Sequence, residues 1–289
     1  VLLPIKLIAI DLYGTLVGPG GHGQMPSENR DAVVAALKRG IKIALVTGLN
    51  RGSVMNILQK SGIQAAPGMM VACYNGAVMF EPASGAIIWE YSLTPELASE
   101  LANHHDIKPH FPMVHGPFDD RNLMWIESGS HPPIVERYLN RRMEILGSSS
   151  TKIVDDLAKE ITFPVQDISF LAPEDRIHSA ANRLDDQYSG RVKLIKSLWN
   201  DGYAWLEILH PNAGKGEAVK QMRQRFHLSK DDVMSIGDNL NDVEMFEQSG
   251  ISVAMGNAPE EVRQSATCHT LPWEKAGVAH AMKTWALAD

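Results

Sequence analysis

Lys6-Leu7-Ile8-Ala9-Ile10-Asp11-Leu12-Tyr13-Gly14-Thr15-Leu16 decides the fold. An apolar run reaches a carboxylate, and a Gly-Thr turn follows at once. Ile8, Ala9 and Ile10 are apolar without alternation, which suits a strand buried on both faces, as in a parallel sheet. Such a strand ending on Asp11 delivers a charge to the carboxyl edge of the sheet, where ligands bind in open α/β folds. A buried carboxylate without a partner is costly, so a cationic group should meet it. Asp also opens turns and caps helices, and Asp11 alone does not separate these uses.

Outward from this stretch the same pattern repeats. A Gly/Pro-rich loop (Gly18-Pro19-Gly20-Gly21, then Met25-Pro26) leads to Ser27, which is expected to cap an amphipathic helix over Arg30 to Lys38. Ile41 to Val46 reads as a second strand ending on Thr47-Gly48, and Ser53 to Lys60 as a second helix. Val71 to Tyr74 reads as a third strand ending on Asn75-Gly76. Three strands thus deliver Asp11, Thr47 and Asn75 at their carboxyl ends. The alternation predicts a doubly wound parallel sheet with right-handed crossovers, a Rossmann-like α/β core.

The middle of the chain changes character. Val78 to Phe80 and Ile87 to Tyr91 flank Pro82-Ala83-Ser84-Gly85, a hairpin signal. Beyond it, helices and strands alternate irregularly around many prolines. Thr94-Pro95-Glu96 opens a helix with proline at its first position. Leu123 to Glu127 and Gln166 to Leu171 read as strands, Pro173 to Arg183 as a helix, and Val192 to Ser197 with Ala204 to Leu209 as a closing strand pair. Residues 86–209 are therefore expected to form an inserted α+β cap, with 1–85 and 210–289 as the core. The cap histidines His104, His105, His110 and His115 have no regular metal-ligand spacing and read as solvated loop residues.

The first pattern then returns. Gly214-Lys215-Gly216-Glu217 opens a helix running to Phe226, with Lys215 near the end that favours anions. Asp232 to Ile236 reads as a strand, followed by Gly237-Asp238-Asn239-Leu240-Asn241-Asp242. Two Asp residues four apart beside a glycine turn can face one divalent cation, and oxygen donors suit Mg²⁺ better than zinc. Val243 to Gln248 (helix) and Ile251 to Ala254 (strand) continue the alternation.

Composition bounds the rest. The chain has 289 residues, enough for one large domain or two ordinary ones, and at 44% hydrophobic it can build a sizeable core. A net charge of −7 argues against a general nucleic-acid binder. Cys73 and Cys268 form no ligand spacing and suggest a reducing compartment, both expected as inert buried thiols. The first residues lack the signature of a signal peptide, and no apolar run approaches the roughly 20 residues of a membrane helix. The expectation is a cytoplasmic protein without membrane or nucleic-acid partners, monomeric or homodimeric.

In order and spacing these pieces resemble the haloacid dehalogenase-like hydrolase superfamily, and in particular its Cof-type phosphatase branch with a large inserted cap. Tyr74-Asn75-Gly76-Ala77, Leu206-Glu207-Ile208, Gly214-Lys215-Gly216 and Ala254-Met255-Gly256-Asn257-Ala258 match that branch. The resemblance covers nearly the whole chain and implies a Mg²⁺-dependent phosphatase acting on a small phosphorylated metabolite, with sugar phosphates as the expected class. It implies Asp11 as the nucleophile, Thr47 as a hydrogen-bond donor to a phosphoryl oxygen, and Lys215 as the group that neutralises charge and orients Asp11. Gly14, Thr15, Gly48, Asn75 and Asn241 would bind the phosphate side. The metal would be held at Asp11, Tyr13, Asp238 and Asp242, with Asp242 either a ligand or one step behind.

Two positions depart from the pattern. The family's phosphatases carry a second Asp two residues after the nucleophile, which protonates the leaving alcohol and then activates water. Here that position is Tyr13, a poor base near neutral pH with a reference pKa of about 10. Many relatives also follow Thr-Gly with Arg, where this chain has Leu49; Arg51 is the nearby candidate to replace it. Three readings stay open for Tyr13: a slowed phosphatase, a phosphate-binding protein without turnover, and a carbon–halogen hydrolase, since the superfamily's dehalogenases share Asp-x-Tyr-Gly-Thr. The retained Asp238 and Asp242 favour the phosphatase lineage, because dehalogenation by Asp attack needs no metal.

Overall fold

A computed structural model describes residues 5–19, 25–63, 67–119, 121–199 and 202–287. The chain runs β1 (Leu7–Ile10), α1 (Ser27–Lys38), β2 (Lys42–Val46), α2 (Arg51–Ser61) and β3 (Met69–Cys73), then the antiparallel strands β4 (Val78–Phe80) and β5 (Ile87–Glu90). Its middle holds α3 (Pro95–Ala102), β6 (Met113–His115), β7 (Met124–Glu127), α4 (Pro133–Leu146), β8 (Thr151–Val154), α5 (Leu157–Glu160), β9 (Asp167–Pro173), α6 (Glu174–Tyr188), β10 (Lys193–Leu198) and β11 (Tyr203–Leu209). It closes with α7 (Lys215–Arg225), β12 (Val233–Gly237), α8 (Val243–Phe246), β13 (Ile251–Ala254), α9 (Glu260–Ser265), β14 (Cys268–His269) and α10 (Gly277–Trp285). No helix among the described residues is long and apolar enough to cross a membrane.

Two compact units result. One comprises residues 1–49, 54–90 and 214–289; the other comprises 91–213 with Asn50–Ser53. The first unit carries an eight-stranded sheet in the order β14-β13-β12-β1-β2-β3-β4-β5. β1 is parallel to both β12 and β2, with Ile10 opposite Ile236 on one side and Leu45 on the other. This central position explains why Leu7 to Ile10 is apolar without alternation: all four residues are fully buried. The chain winds one way through β1, β2 and β3 and the other way through β12, β13 and β14, so the switch point falls between β1 and β12. Asp11 and Asp238 follow those two strands.

The expected cap boundary at residue 86 falls instead after Glu90. β5 pairs antiparallel with β4 and completes the first sheet, so Ile87–Glu90 stays with the core. At the other end the division lies after Ala213 rather than Leu209. Ser27 is not a cap: Pro26 holds the extended residue before α1, and the Ser27 hydroxyl, already in the first turn, donates to Glu28. Thr94 does cap α3, accepting from the Leu97 N–H with Pro95 at the first helical position. Cys73 is buried but Cys268, on a two-residue edge strand, is only partly covered. Of the loop quoted above, Gly20 and Gly21 lie outside the described residues.

The second unit is a six-stranded sheet in the order β10-β11-β9-β6-β7-β8. One face packs Ile168, Phe170, Leu206 and Ile208 against α3, α5 and α6; the other packs Met113, Met124 and Leu171 against α4. Of the four histidines expected in a solvated loop, His105 is an exposed turn residue, but His104 and His115 are buried. His115 lies on β6 and is buried, with burial and the Arg142 cation holding its pKa well below the ordinary value. His104 is buried too. Its Nδ1 accepts from the Asp106 N–H, which fixes the proton on Nε2, and Nε2 donates to Gln187. Asp106 in turn takes a two-pronged bond from Arg183. His104, His105 and Asp106 cluster, and within the cluster His104 and Asp106 are tied to Gln187 and Arg183 while His105 Nε2 faces Asp106.

Candidate active site

Asp11 is the first residue past β1, and its backbone N–H extends the ladder to the Ile236 carbonyl (3.0 Å). The chain then folds back on itself. Leu16 and Val17 donate to the Asp11 and Leu12 carbonyls, and Gly14 donates to Val17 (2.9 Å). Tyr13 is half-buried in this loop and bridges to Val17. Gly14 has φ +84°, and a Cβ there would lie 2.3 Å from the Asp238 carboxylate. Glycine is therefore required both for the turn and for the close approach of Asp238.

Lys215 begins α7 and buries its ammonium beside the buried carboxylates Asp11 and Asp242. It donates to Asp11 Oδ1 at 2.6 Å and to Asp242 Oδ1 at 2.7 Å. Gly216 beside it lets α7 press onto α8, since a Cβ would meet the Glu244 carbonyl at 2.5 Å. Burial works against the Lys215 charge, but Asp11 and Asp242 outweigh it and hold its pKa above the ordinary lysine range. Burial pushes the Asp11 carboxyl up to about 6, Lys215 opposing and Asp242 adding to the rise. The cationic partner expected for a buried Asp11 is thus present, and it comes from 204 residues away in sequence.

Asp238 and Asp242 differ in use. Asp242 is fully buried; its Oδ2 caps the N–H groups of Asp238 (2.8 Å) and Asn239 (3.0 Å), while Oδ1 takes Lys215. Asp238 accepts the Thr15 hydroxyl at Oδ1 (2.7 Å) and faces Asn257 Nδ2 from Oδ2 (3.4 Å). Burial and the neighbouring Asp11 and Asp242 anions push its carboxyl well above the usual range. Carboxylate oxygens of Asp11, Asp238 and Asp242 lie within 4.8 Å of one another. Three carboxylates that Lys215 alone does not neutralise, all oxygen donors, fit a hard divalent cation such as Mg²⁺.

Thr47 ends β2 at the same sheet edge. Its carbonyl accepts from Asn75 N–H (2.8 Å) and its hydroxyl from Leu49 N–H (3.2 Å). Gly48 beside it is half-buried. Asn75, at φ 50°, ties three loops together: its N–H to Thr47, its carbonyl to Gly214 N–H, and its amide oxygen to Asn241 Nδ2 (3.0 Å). Asn75 therefore aligns the loop before Lys215 with the loop after β12. Two residues escaped the sequence reading. Asn29, fully buried on α1, donates to the Leu16 carbonyl and accepts from Ala279 N–H. Asn257 donates to the Gly14 carbonyl (2.9 Å) and accepts from Trp273 N–H (3.0 Å). The Gly-Asn-Ala turn after β13 was the only signal for Asn257, and a lone Asn in an amphipathic helix gave none for Asn29.

Comparison with known proteins identifies the family. Residues 8–282 match the family model described as haloacid dehalogenase-like hydrolase. The YxeH protein of Bacillus subtilis is 31% identical over 98% of this chain and 99% of its own length. The phosphatase YwpJ of the same organism is 26% identical, over 96% of this chain and 99% of its own. A solved subclass IIB sugar phosphatase superposes with a TM-score of 0.75 at 20% identity, covering 98% of this chain and 99% of that one. With the family model spanning nearly every described element and a full-length relative above 30% identity, this chain belongs to the haloacid dehalogenase-like hydrolases, in the Cof-type branch.

Proposed function

We propose that this protein is a phosphatase that releases phosphate from small phosphorylated metabolites, sugar phosphates foremost, through a phosphoryl group carried on Asp11. The observation that carries this reading is the 2.6 Å contact between Lys215 and Asp11 beside two further carboxylates. A carboxylate attacks a phosphoryl dianion only where their repulsion is screened. Asp11 and Asp238 would hold the divalent cation, with Tyr13 offering a further oxygen and Asp242 orienting Lys215 and the Asp238 loop. A bound Mg²⁺ supplies positive charge against the phosphoryl oxygens.

In this reading an Asp11 oxygen forms a bond to phosphorus as the ester P–O bond breaks. The leaving alkoxide takes a proton, and water then cleaves the acyl phosphate to restore Asp11 and release phosphate. Lys215 keeps Asp11 ionised and oriented. Thr47, the Gly48 backbone and the amides of Asn75 and Asn241 serve the phosphoryl oxygens, while Gly14 and Thr15 shape the turn around Asp11. Proton transfer is the weak part of the cycle because Tyr13 stands where the acid–base Asp is expected. The name of YwpJ supports a phosphatase, and that of the sugar phosphatase structure supports the substrate class.

A panel of phosphomonoesters with and without Mg²⁺ tests this reading. Phosphate release that Mg²⁺ supports and EDTA abolishes is the expected result. Activity indifferent to EDTA overturns it. Tyr13 favours one second reading, phosphate binding without turnover, which calorimetry with a phosphosugar would reveal in the absence of any release. Halide release from a 2-haloacid without metal would instead identify a dehalogenase.

A further inference from the structure

We propose that Asn257 is a positioning residue for the cation site, one that holds Asp238 in the orientation a divalent ion needs. This rests on the reading of Asp11, Asp238 and Asp242 as that site. Asn257 is itself solvent-exposed, so its conservative shape is not needed to fill the core. Its side chain is nonetheless fixed at both ends. Oδ1 accepts from Trp273 N–H at 3.0 Å, and this leaves Nδ2 pointing into the site. Nδ2 then donates to the Gly14 carbonyl at 2.9 Å and faces Asp238 Oδ2 at 3.4 Å.

The choice of an amide follows from the charges around it. Three carboxylates already meet within 4.8 Å. A fourth carboxylate at position 257 would repel Asp238, and a lysine would neutralise it and compete with the ion. A neutral donor of fixed geometry orients Asp238 without doing either. The two Asp238 oxygens are each met by one neutral donor, Thr15 Oγ1 at Oδ1 and Asn257 Nδ2 at Oδ2. A carboxylate oxygen has more than one lone-pair direction, so both oxygens keep capacity for a cation. The same amide links the loop of the nucleophile, through Gly14, to the C-terminal segment at Trp273, whose ring packs against Gly18. Outer partners of metal-binding groups commonly set affinity by 10- to 100-fold.

The test is titration of Mg²⁺ alone into the full chain by calorimetry, with melting in EDTA as a second measurement. Asn257→Ala should bind Mg²⁺ about tenfold more weakly while its melting temperature in EDTA stays that of the wild type. Asn257→Ser is read in the same way should the alanine variant fold poorly. Mg²⁺ affinity within twofold of wild type overturns the proposal, as does a fall in EDTA melting temperature that accounts for the weaker binding. Asp238→Asn separates this from failure of the underlying reading: if wild type and Asp238→Asn take up Mg²⁺ alike, the cation site itself is wrong.

Discussion

Lys215 donates to Asp11 at 2.6 Å from a position 204 residues later in the chain. Both side chains are buried, and Asp242 takes a second Lys215 proton at 2.7 Å. Removing one member of such a group leaves buried charge without compensation, which typically costs about 3–5 kcal/mol. Lys215→Met should therefore melt well below wild type in EDTA, with Mg²⁺ restoring part of the loss. Its phosphate release should fall by about 10²-fold or more, as when a charge-stabilising group is removed from an active site. Comparable melting of the two proteins in EDTA would show that Lys215 is not the counter-charge.

Gly14→Ala tests the approach of Asp238 to the nucleophile's turn. A Cβ would sit 2.3 Å from Asp238 Oδ2, and the backbone is left-handed at φ +84°. The conformational cost is roughly 1–2 kcal/mol. Displacing Asp238 should also break its bond from Thr15 and abolish the thermal stabilisation given by Mg²⁺. A variant that keeps a full Mg²⁺ shift in a melting assay would show that Asp238 relaxes without losing the site.

The parts of this site that were legible in the sequence are those where burial meets charge at a strand end. Asp11, Thr47, Asn75 and Asp238 each close an apolar run, and a run that ends on a polar group is visible without coordinates. Apart from the family resemblance, Lys215 was readable only as a lysine near a helix start, because nothing local says that an ammonium will be buried. That fact depends on Asp11 and Asp242, which the fold brings from elsewhere. The second unit was less legible for a related reason. His104 and His115 sit among prolines and polar residues that look like loop, but β6 pairs with β7 and β9, and cross-strand pairing leaves little local trace. Helix α4 was hidden behind Pro132-Pro133, which in fact opens it.

Asn29 shows what a single buried amide can hold. It donates to the Leu16 carbonyl at 3.1 Å and accepts from Ala279 N–H at 2.8 Å, joining the loop after Asp11 to the start of α10. Asn29→Leu keeps the branching of the side chain, though it is bulkier, and strands a carbonyl and an N–H in the core, each costing about 1–3 kcal/mol. The variant should lose roughly 2–6 kcal/mol in urea unfolding. A loss below 0.5 kcal/mol would mean that water reaches both groups.

His115 should make stability depend on pH. Its folded pKa lies well below the ordinary value, chiefly from burial, so below about pH 6.5 the unfolded chain binds a proton that the folded chain does not. Stability is lost as pH falls through that window, by up to about 1.4 kcal/mol per pH unit. Asp167, 3.8 Å from His115 Nε2, acts in the opposite direction. Burial and Glu207 raise its folded pKa well above the usual value, so its contribution is lost as pH rises from about 4. The difference between wild type and His115→Gln isolates the histidine. That difference in urea midpoint should widen between pH 5 and 6.5 and flatten above pH 7, the variant being the less pH-sensitive. Parallel curves for the two proteins would show that His115 takes up its proton in the folded state.

In the proposed cycle, Tyr13 stands where the proton-transferring group is expected. The best acid–base group has a pKa near the working pH, and a phenol near 10 is about three units away. With that reference value, a phenol is a poor general base toward water near neutral pH. Tyr13 is half-buried in the loop that carries Asp11. Tyr13→Asp should therefore raise phosphate release at least tenfold, within the roughly 10²- to 10⁴-fold range for such groups, and give the rate a new limb on the acid side. The smaller side chain also removes the ring, so binding must be followed separately: KM should change less than kcat. An unchanged kcat with Mg²⁺ present would mean that another group, or bulk water, already carries the proton.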